Sequence, residues 1–333
     1  MQKIGYLFPG QGSQYVGMGR DLYEKYPAAK AVFDKANAVL GFNLKKICFE
    51  GPKEELARTD ISQPAILTMS MAALRAWENV RVSQTPRRPD AQIEAVAGLS
   101  LGEYSALVSA GVIAFEDAVR LVRKRGEFMQ LAAEKNKGTM VSVLGLSIED
   151  VNSICKEAGV QAANLNSPGQ TVVSGLIDDI NKAVELVRKK PGAKAIILDV
   201  SGPFHSKFME SAGIMLKKEL ENIKMSAPKF PVVANVTAKH QTDTAQIKKN
   251  LIDQVSNSVL WEDSMRLMIK GGITNFFEIG PGAVLKGLAR RIDADIRVYN
   301  IGKVQDIEEF CNGNWRHCED PAPCNGAGDE AIS

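Results

Sequence analysis

Ser100 lies in the stretch "AGLSLGEY" (97–104), flanked by Gly98 and Gly102 in a Gly-x-Ser-x-Gly pattern. An apolar run, "IEAVAGLS", leads into it, and "LGEYSALVSAG" continues with helical character. Strand, tight turn and helix therefore follow in the order that a nucleophile elbow requires. In such a turn the hydroxyl stands above a helix N-terminus, whose first backbone N–H groups face any oxyanion that forms beside it. The chemistry would be acyl transfer through a serine ester. The five residues alone also fit a glycine-flanked turn with a capping serine.

A serine hydroxyl needs a base to become a nucleophile. The chain has three histidines: His205, His240 and His317. His240, in "TAKHQTDT", reads as a solvated loop residue, and His317 falls in a polar C-terminal tail. His205, in "DVSGPFHSKFME", stands where a small domain hands the chain back to a larger one, a place that can face an interdomain cleft. Once a nucleophile is present, His205 is the candidate base, and no Asp or Glu partner for it is evident.

The elements that must hold these residues are α/β in pattern. "KIGYLFPG" reads as a first strand, followed by helical periodicity in "RDLYEKYPAAKAVFDKANAVL" and "QPAILTMSMAALRAWENV". Residues 81–92, "RVSQTPRRPDAQ", are expected to form an exposed loop. Residues 138–202 run β-α-β-β-α-β, the ferredoxin-like signature. The expected fold is a large α/β-hydrolase-like domain, 1–137 and 203–304, with a ferredoxin-like domain, 138–202, inserted. "PVVANV" and "ITNFFEIGPG" supply later strands and "AVLKGLARRI" a helix. Residues 305–333, rich in Gly, Pro, Asn and acid toward the end, are expected to be disordered.

Composition narrows the function classes. A net charge of +2 over 333 residues gives no nucleic-acid signature. No apolar run approaches the roughly 18 residues of a membrane span, and the N-terminus lacks a signal-peptide pattern. Five scattered cysteines do not form a disulfide framework, so a cytoplasmic protein with reduced thiols is expected. Cys311, His317, Cys318 and Cys324 are not spaced as typical zinc pairs, and no metal site is expected.

Seven stretches together resemble the malonyl-CoA:acyl carrier protein transacylases. They are "FPGQGSQ" (8–14), "GLSLGEYSAL" (98–107), "VRKRGEFMQ" (122–130), "AANLNSPGQTVVSG" (162–175), "GPFHSKFM" (202–209), "QVSNSVLW" (254–261) and "FFEIGPGAVL" (276–285). The resemblance implies Ser100 as the acylated nucleophile and His205 as base, oriented by the backbone carbonyl of Gln254. It implies the backbone N–H groups of Gln11 and Leu101 as the oxyanion hole, and Arg125 as the malonate-binding cation. A guanidinium fork matches a carboxylate through two parallel hydrogen bonds, which lysine cannot reproduce. Phe204 matches related domains that take malonyl rather than methylmalonyl units. Leu99 departs from the usual histidine before the nucleophile, as in a subset resembling the plastid enzymes.

The activity implied is a ping-pong malonyl transfer from malonyl-CoA to the phosphopantetheine thiol of an acyl carrier protein, by a monomer that needs no metal or redox cofactor. Neither nucleic acid nor membrane is an expected partner. Carrier proteins are acidic, so Arg120, Arg123, Lys124, Lys189, Lys190, Lys286, Arg290 and Arg291 are candidates for a basic rim. A polyketide-pathway acyltransferase, a serine esterase or thioesterase, and a non-enzymatic carrier-binding module remain open alternatives.

Overall fold

The computed structural model describes residues 2–84 and 91–311. The chain opens with β1 (Gln2–Phe8), then short helices α1 (Arg20–Lys25), α2 (Pro27–Leu40), α3 (Leu44–Glu50) and α4 (Lys53–Ala57), and the long α5 (Thr59–Gln84). The single helix expected over 20–40 is broken at Tyr26, which is extended (φ −113°, ψ 114°) because Pro27 bars its predecessor from helical geometry. β2 (Ala91–Gly98), α6 (Gly102–Ser109) and α7 (Phe115–Lys135) follow. The loop expected over 81–92 is shorter: α5 runs to Gln84 and β2 begins at Ala91.

The next segment forms β3 (Gly138–Leu144), α8 (Ile148–Ala158), β4 (Gln161–Ser167), β5 (Gln170–Leu176), α9 (Ile177–Arg188) and β6 (Lys194–Ile197). The chain then adds α10 (Glu210–Glu221), β7 (Val232–Val233), β8 (His240–Gln241), α11 (Thr244–Gln254) and α12 (Trp261–Lys270). It ends in β9 (Asn275–Ile279), α13 (Val284–Ile292), β10 (Arg297–Ile301) and α14 (Val304–Cys311). No helix among the described residues is long and apolar enough to cross a membrane.

The central sheet has the order β10-β9-β1-β2-β7-β8, with all neighbours parallel except the edge pair β7–β8. Alternation along its strands feeds two cores. Tyr6, Phe8, Val96 and Phe277 face one core, packed with α5 and α7, while Leu7, Ala95, Ala97 and Phe276 face another, packed with α12 and α13. The second sheet, β4-β5-β3-β6, is antiparallel throughout. α8 and α9 cover one of its faces with Val151, Ile154, Ile180 and Val184, while Met140, Ala163 and Val172 join the larger core.

The ordered body runs past the boundary expected at 304. Val304, Ile307 and Phe310 are three apart on α14, and Ile307 is fully buried. The Phe310 ring packs edge-on against Trp77 and Phe277. Asp306 accepts from the Gly302 and Lys303 N–H groups and starts the helix. The bulk composition of the tail hides this one amphipathic turn. The remainder of the expected tail, with His317, Cys318 and Cys324, lies outside the described residues.

One helix crossing positions the future site. Pro64, inside α5, has no N–H for the Asp60 carbonyl one turn back, and Arg123 Nη1 of α7 donates to that carbonyl at 2.8 Å. At the same crossing a Cβ on Gly126 would meet the Thr59 carbonyl oxygen at 2.6 Å. The neighbour is backbone and cannot swing away. Gly126→Ala is expected to destabilise the fold by about 1–3 kcal/mol, read as a lower urea midpoint at unchanged slope.

Candidate active site

β2 delivers Ser100 to the C-terminal edge of the central sheet, where ligands of open α/β sheets are bound. Ser100 takes φ 49°, a left-handed conformation costing a non-glycine residue about 1–3 kcal/mol. The turn closes only because its flanks are glycine: a Cβ on Gly98 would lie 2.0 Å from the Gly102 carbonyl carbon. Two side chains hold the strained residue. Its N–H donates to Asn235 Oδ1 at 2.7 Å, and its carbonyl accepts from Gln254 Nε2 at 3.0 Å.

His205, also at positive φ (55°), meets this serine from the far side of the β3–β6 segment. Ser100 Oγ and His205 Nε2 are 2.8 Å apart, and His205 Nδ1 is 2.8 Å from the Gln254 carbonyl oxygen. A carbonyl can only accept, so Nδ1 carries the proton and Nε2 presents its lone pair to the serine hydroxyl. No carboxylate is required to set the tautomer. Burial, reinforced by the positive charge of Arg125, pushes the imidazole down to about 4, against the hydrogen bonds at Gln254 and Asn257. The imidazole is therefore neutral throughout the physiological range, in the form a base requires.

Arg125, on α7, is 2% exposed. Its Nη1 donates to Gln63 Oε1 at 2.8 Å, and its Nη2 donates to Gln254 Oε1 at 3.0 Å and Ser100 Oγ at 3.1 Å. The guanidinium also lies 5.5 Å from the Tyr104 ring centroid. The cation that the resemblance pointed to thus sits inside the protein, against Ser100 Oγ. Gln254 is the hub: its backbone holds the histidine while its side chain binds Arg125, Ser100 and the buried Glu103.

The loop after β1 is seated on the elbow, with Leu99 N–H donating to the Phe8 carbonyl at 3.0 Å. No described residue accepts from the N–H of Gln11 or of Leu101. Leu99 packs against the core beneath α12 and α13. Phe204 is buried in the larger core beside Gly202. His240 is exposed on β8 and plays no part here. A groove of about 590 Å³ between α2, α5 and α7 lies elsewhere, and its lining holds no histidine, serine or cysteine.

Of the candidate basic rim, Arg120, Arg123, Lys124 and Lys190 are paired with Asp117, Asp60, Glu127 and Asp150. Lys189, Lys286, Arg290 and Arg291 have no acidic partner among the described residues, and Arg291 bonds Gln170. Sequence reasoning missed Gln63, Glu103, Asn235 and Gln241. Glu103 and Asn235 lie inside stretches singled out above, yet their partners are more than a hundred positions away, as with Gln241 bonding Glu103 across 138 residues.

The family model described as acyl transferase domain matches residues 5–304. The chain belongs to the acyl transferase family. Among its acyl transferase relatives is the malonyl CoA-acyl carrier protein transacylase of Bacillus subtilis, 44% identical over 313 residues, covering 92% of this chain and 96% of that one. A solved malonyl CoA-acyl carrier protein transacylase from Clostridium perfringens superposes with a TM-score of 0.87 at 38% identity, covering 95% of this chain and 98% of that one. Another solved acyl transferase relative, TM-score 0.88 at 36% identity over 94% of this chain and all of its own (100%), is a malonyl-transacylase in complex with a type II PKS acyl-carrier protein. The fold is shared with these proteins: a mixed α/β body with a central sheet and a second antiparallel sheet.

Two outcomes follow for this acyl transferase. In a pH–rate profile, the acid limb of kcat/KM is expected near pH 4 rather than near 6.5, because protonating the depressed imidazole removes the base. Asn235→Ala leaves the Ser100 N–H and Gly98 carbonyl unpartnered. It should cost about 1–3 kcal/mol in thermal or urea unfolding and lower kcat more than it changes KM.

Proposed function

We propose that this acyl transferase moves a malonyl group from malonyl-CoA to the phosphopantetheine thiol of an acyl carrier protein through a malonyl ester on Ser100. The observation that carries the reading is the Arg125 guanidinium, 3.1 Å from Ser100 Oγ and buried. A malonyl ester places its free carboxylate two bonds beyond the ester carbonyl carbon, within reach of a cation so close to the oxygen. A neutral acyl group gains nothing from such a residue, and a simple esterase has no use for it.

In the first half-reaction His205 Nε2 takes the Ser100 hydroxyl proton as Oγ bonds to the thioester carbon. The backbone N–H groups of Gln11 and Leu101 receive the oxyanion. The C–S bond then breaks, and the coenzyme A sulfur leaves with the proton from His205. In the second half the carrier-protein thiol gives its proton to His205 and attacks the ester, and Ser100 Oγ recovers the proton as it departs. Each half exchanges an acyl group for a proton, so the chemistry calls for no metal or redox cofactor. Phe204 favours an unsubstituted malonyl unit, with a methyl branch worth about 1–3 kcal/mol of discrimination.

The strand order β4-β5-β3-β6, with helices crossing between β3 and β4 and between β5 and β6, supports reading residues 138–202 as a ferredoxin-like insert. The elbow on a parallel sheet supports the hydrolase-like reading of the rest. Arg290 and Arg291, neighbours on α13 with no acidic partner among the described residues, are the basic residues offered to an acidic carrier protein. The enzyme works as a cytoplasmic monomer, in a compartment where Cys48 and Cys155 remain thiols.

Two measurements test this reading. Intact mass after malonyl-CoA exposure should show one malonyl adduct, absent in Ser100→Ala and removed by holo-carrier protein. Arg125→Ala should cut malonyl transfer at least a hundredfold while leaving acetyl transfer within a few-fold, consistent with loss of a charge-assisted pair of about 3 kcal/mol. Equal losses for both acyl groups would sink the carboxylate role.

A further inference from the structure

Arg125 is buried without an acidic partner at salt-bridge distance among the described residues; Gln63, Gln254 and Ser100 accept its hydrogen bonds, and its Nε has no partner. An isolated buried cation is costly unless an opposite charge lies near. One does, one amide away. Gln254 Oε1 faces the guanidinium, and its Nε2 donates to Glu103 Oε2 at 2.6 Å. Glu103 is fully buried and, among the described residues, is bonded otherwise only by the Asn235 N–H (3.1 Å) and Gln241 Nε2 (2.8 Å). Every partner is a donor, the arrangement a carboxylate needs and a carboxylic acid cannot fully use. The amide between the two charges points its oxygen at the cation and its N–H at the anion, so it links them without letting them touch.

We propose that Glu103 is the internal counter-charge of Arg125, a positioning residue acting across the Gln254 amide that limits how tightly the cleft holds the acyl carboxylate. The proposal rests on Arg125 being the ligand of that carboxylate. At a pH above about 7, where Glu103 is ionised, a malonyl carboxylate arriving at the guanidinium meets a second anion behind it. Its hold is correspondingly weaker, which keeps the malonyl ester from becoming a resting state and leaves it available to the second thiol. Burial pushes the Glu103 carboxyl up to about 7, while its N–H donors and Arg125 pull the other way.

Glu103→Gln separates charge from hydrogen bonding. With the new oxygen kept toward Asn235 and Gln254, its NH₂ faces Gln241. Turning over the Gln241, Asn250 and Gln246 amides in series restores each bond and ends at exposed Gln246. Binding of malonyl-CoA and acetyl-CoA is measured by calorimetry on Ser100→Ala protein, which cannot turn over, alone and combined with Glu103→Gln or Arg125→Ala.

The expected result is a Kd for malonyl-CoA lowered roughly tenfold by Glu103→Gln at low ionic strength, with acetyl-CoA within twofold. A residue that merely supports the fold would weaken malonyl binding, so an unchanged or raised Kd overturns the counter-charge role. Should Arg125→Ala fail to weaken malonyl-CoA selectively, the carboxylate reading of Arg125 falls, and this proposal with it. Gln241→Met removes one donor that holds the Glu103 carboxyl ionised without touching the reacting groups, so at pH 7 it leaves more of that group neutral and should tighten malonyl binding in the same direction but less. It decides the matter if the Gln variant does not fold.

Discussion

Gln254 bonds at once to His205, to the backbone of Ser100 and to the two buried charges of the site. Its carbonyl accepts from His205 Nδ1, its Nε2 donates to Ser100 O and Glu103, and its Oε1 accepts from Arg125. The side-chain bonds constrain one another, because one rigid amide cannot satisfy a cation and an anion in the opposite orientation. The left-handed serine and the direction of the guanidinium are therefore set together, while the main-chain carbonyl sets the histidine tautomer. A carboxylate in place of the carbonyl would fix the tautomer equally well, but it would add a negative charge beside a substrate that already carries one.

Strain is concentrated at the two residues whose side chains meet at 2.8 Å. Ser100 and His205 are two of the three non-glycine residues at positive φ among the described residues. Such conformations persist only where the surroundings over-determine them. Here the surroundings are a buried polar web of Asn235, Gln254, Glu103 and Gln241, all under 4% exposed, in which every side-chain oxygen and nitrogen has a partner. Outside the web, the same helix α7 that brings Arg125 is pinned to α5 by Arg123 and admitted by Gly126. The site's geometry is thus held from below by hydrogen bonds and from the side by helix packing.

The elbow was legible because its signal is local: apolar strand, two glycines and helix within a dozen residues leave little else for the chain to do. The β-α-β-β-α-β order of 138–202 was legible for the same reason, each element carrying its own period. Elements without a local signature were not. β10 is only five residues long and takes its place by pairing with β9, and α14 is a short amphipathic turn hidden in a polar tail. The break at Tyr26 was available from Pro27, yet helical periodicity on both sides masked it.

The sequence by itself determined the α/β class and singled out Ser100 and, by elimination among three histidines, His205 as the candidate nucleophile and base. Those follow from residue type and short spacing, which the covalent chain fixes directly. Only the tertiary structure decided what surrounds them. It buried Arg125 with Nη2 3.1 Å from Ser100 Oγ and brought the Gln254 carbonyl to 2.8 Å from His205 Nδ1, placements that the resemblance implied but that no local spacing contains. It also set Glu103 and Asn235 behind the elbow. Their roles depend on burial and on contacts across more than a hundred residues, and burial is a property of packing that no single stretch of sequence contains.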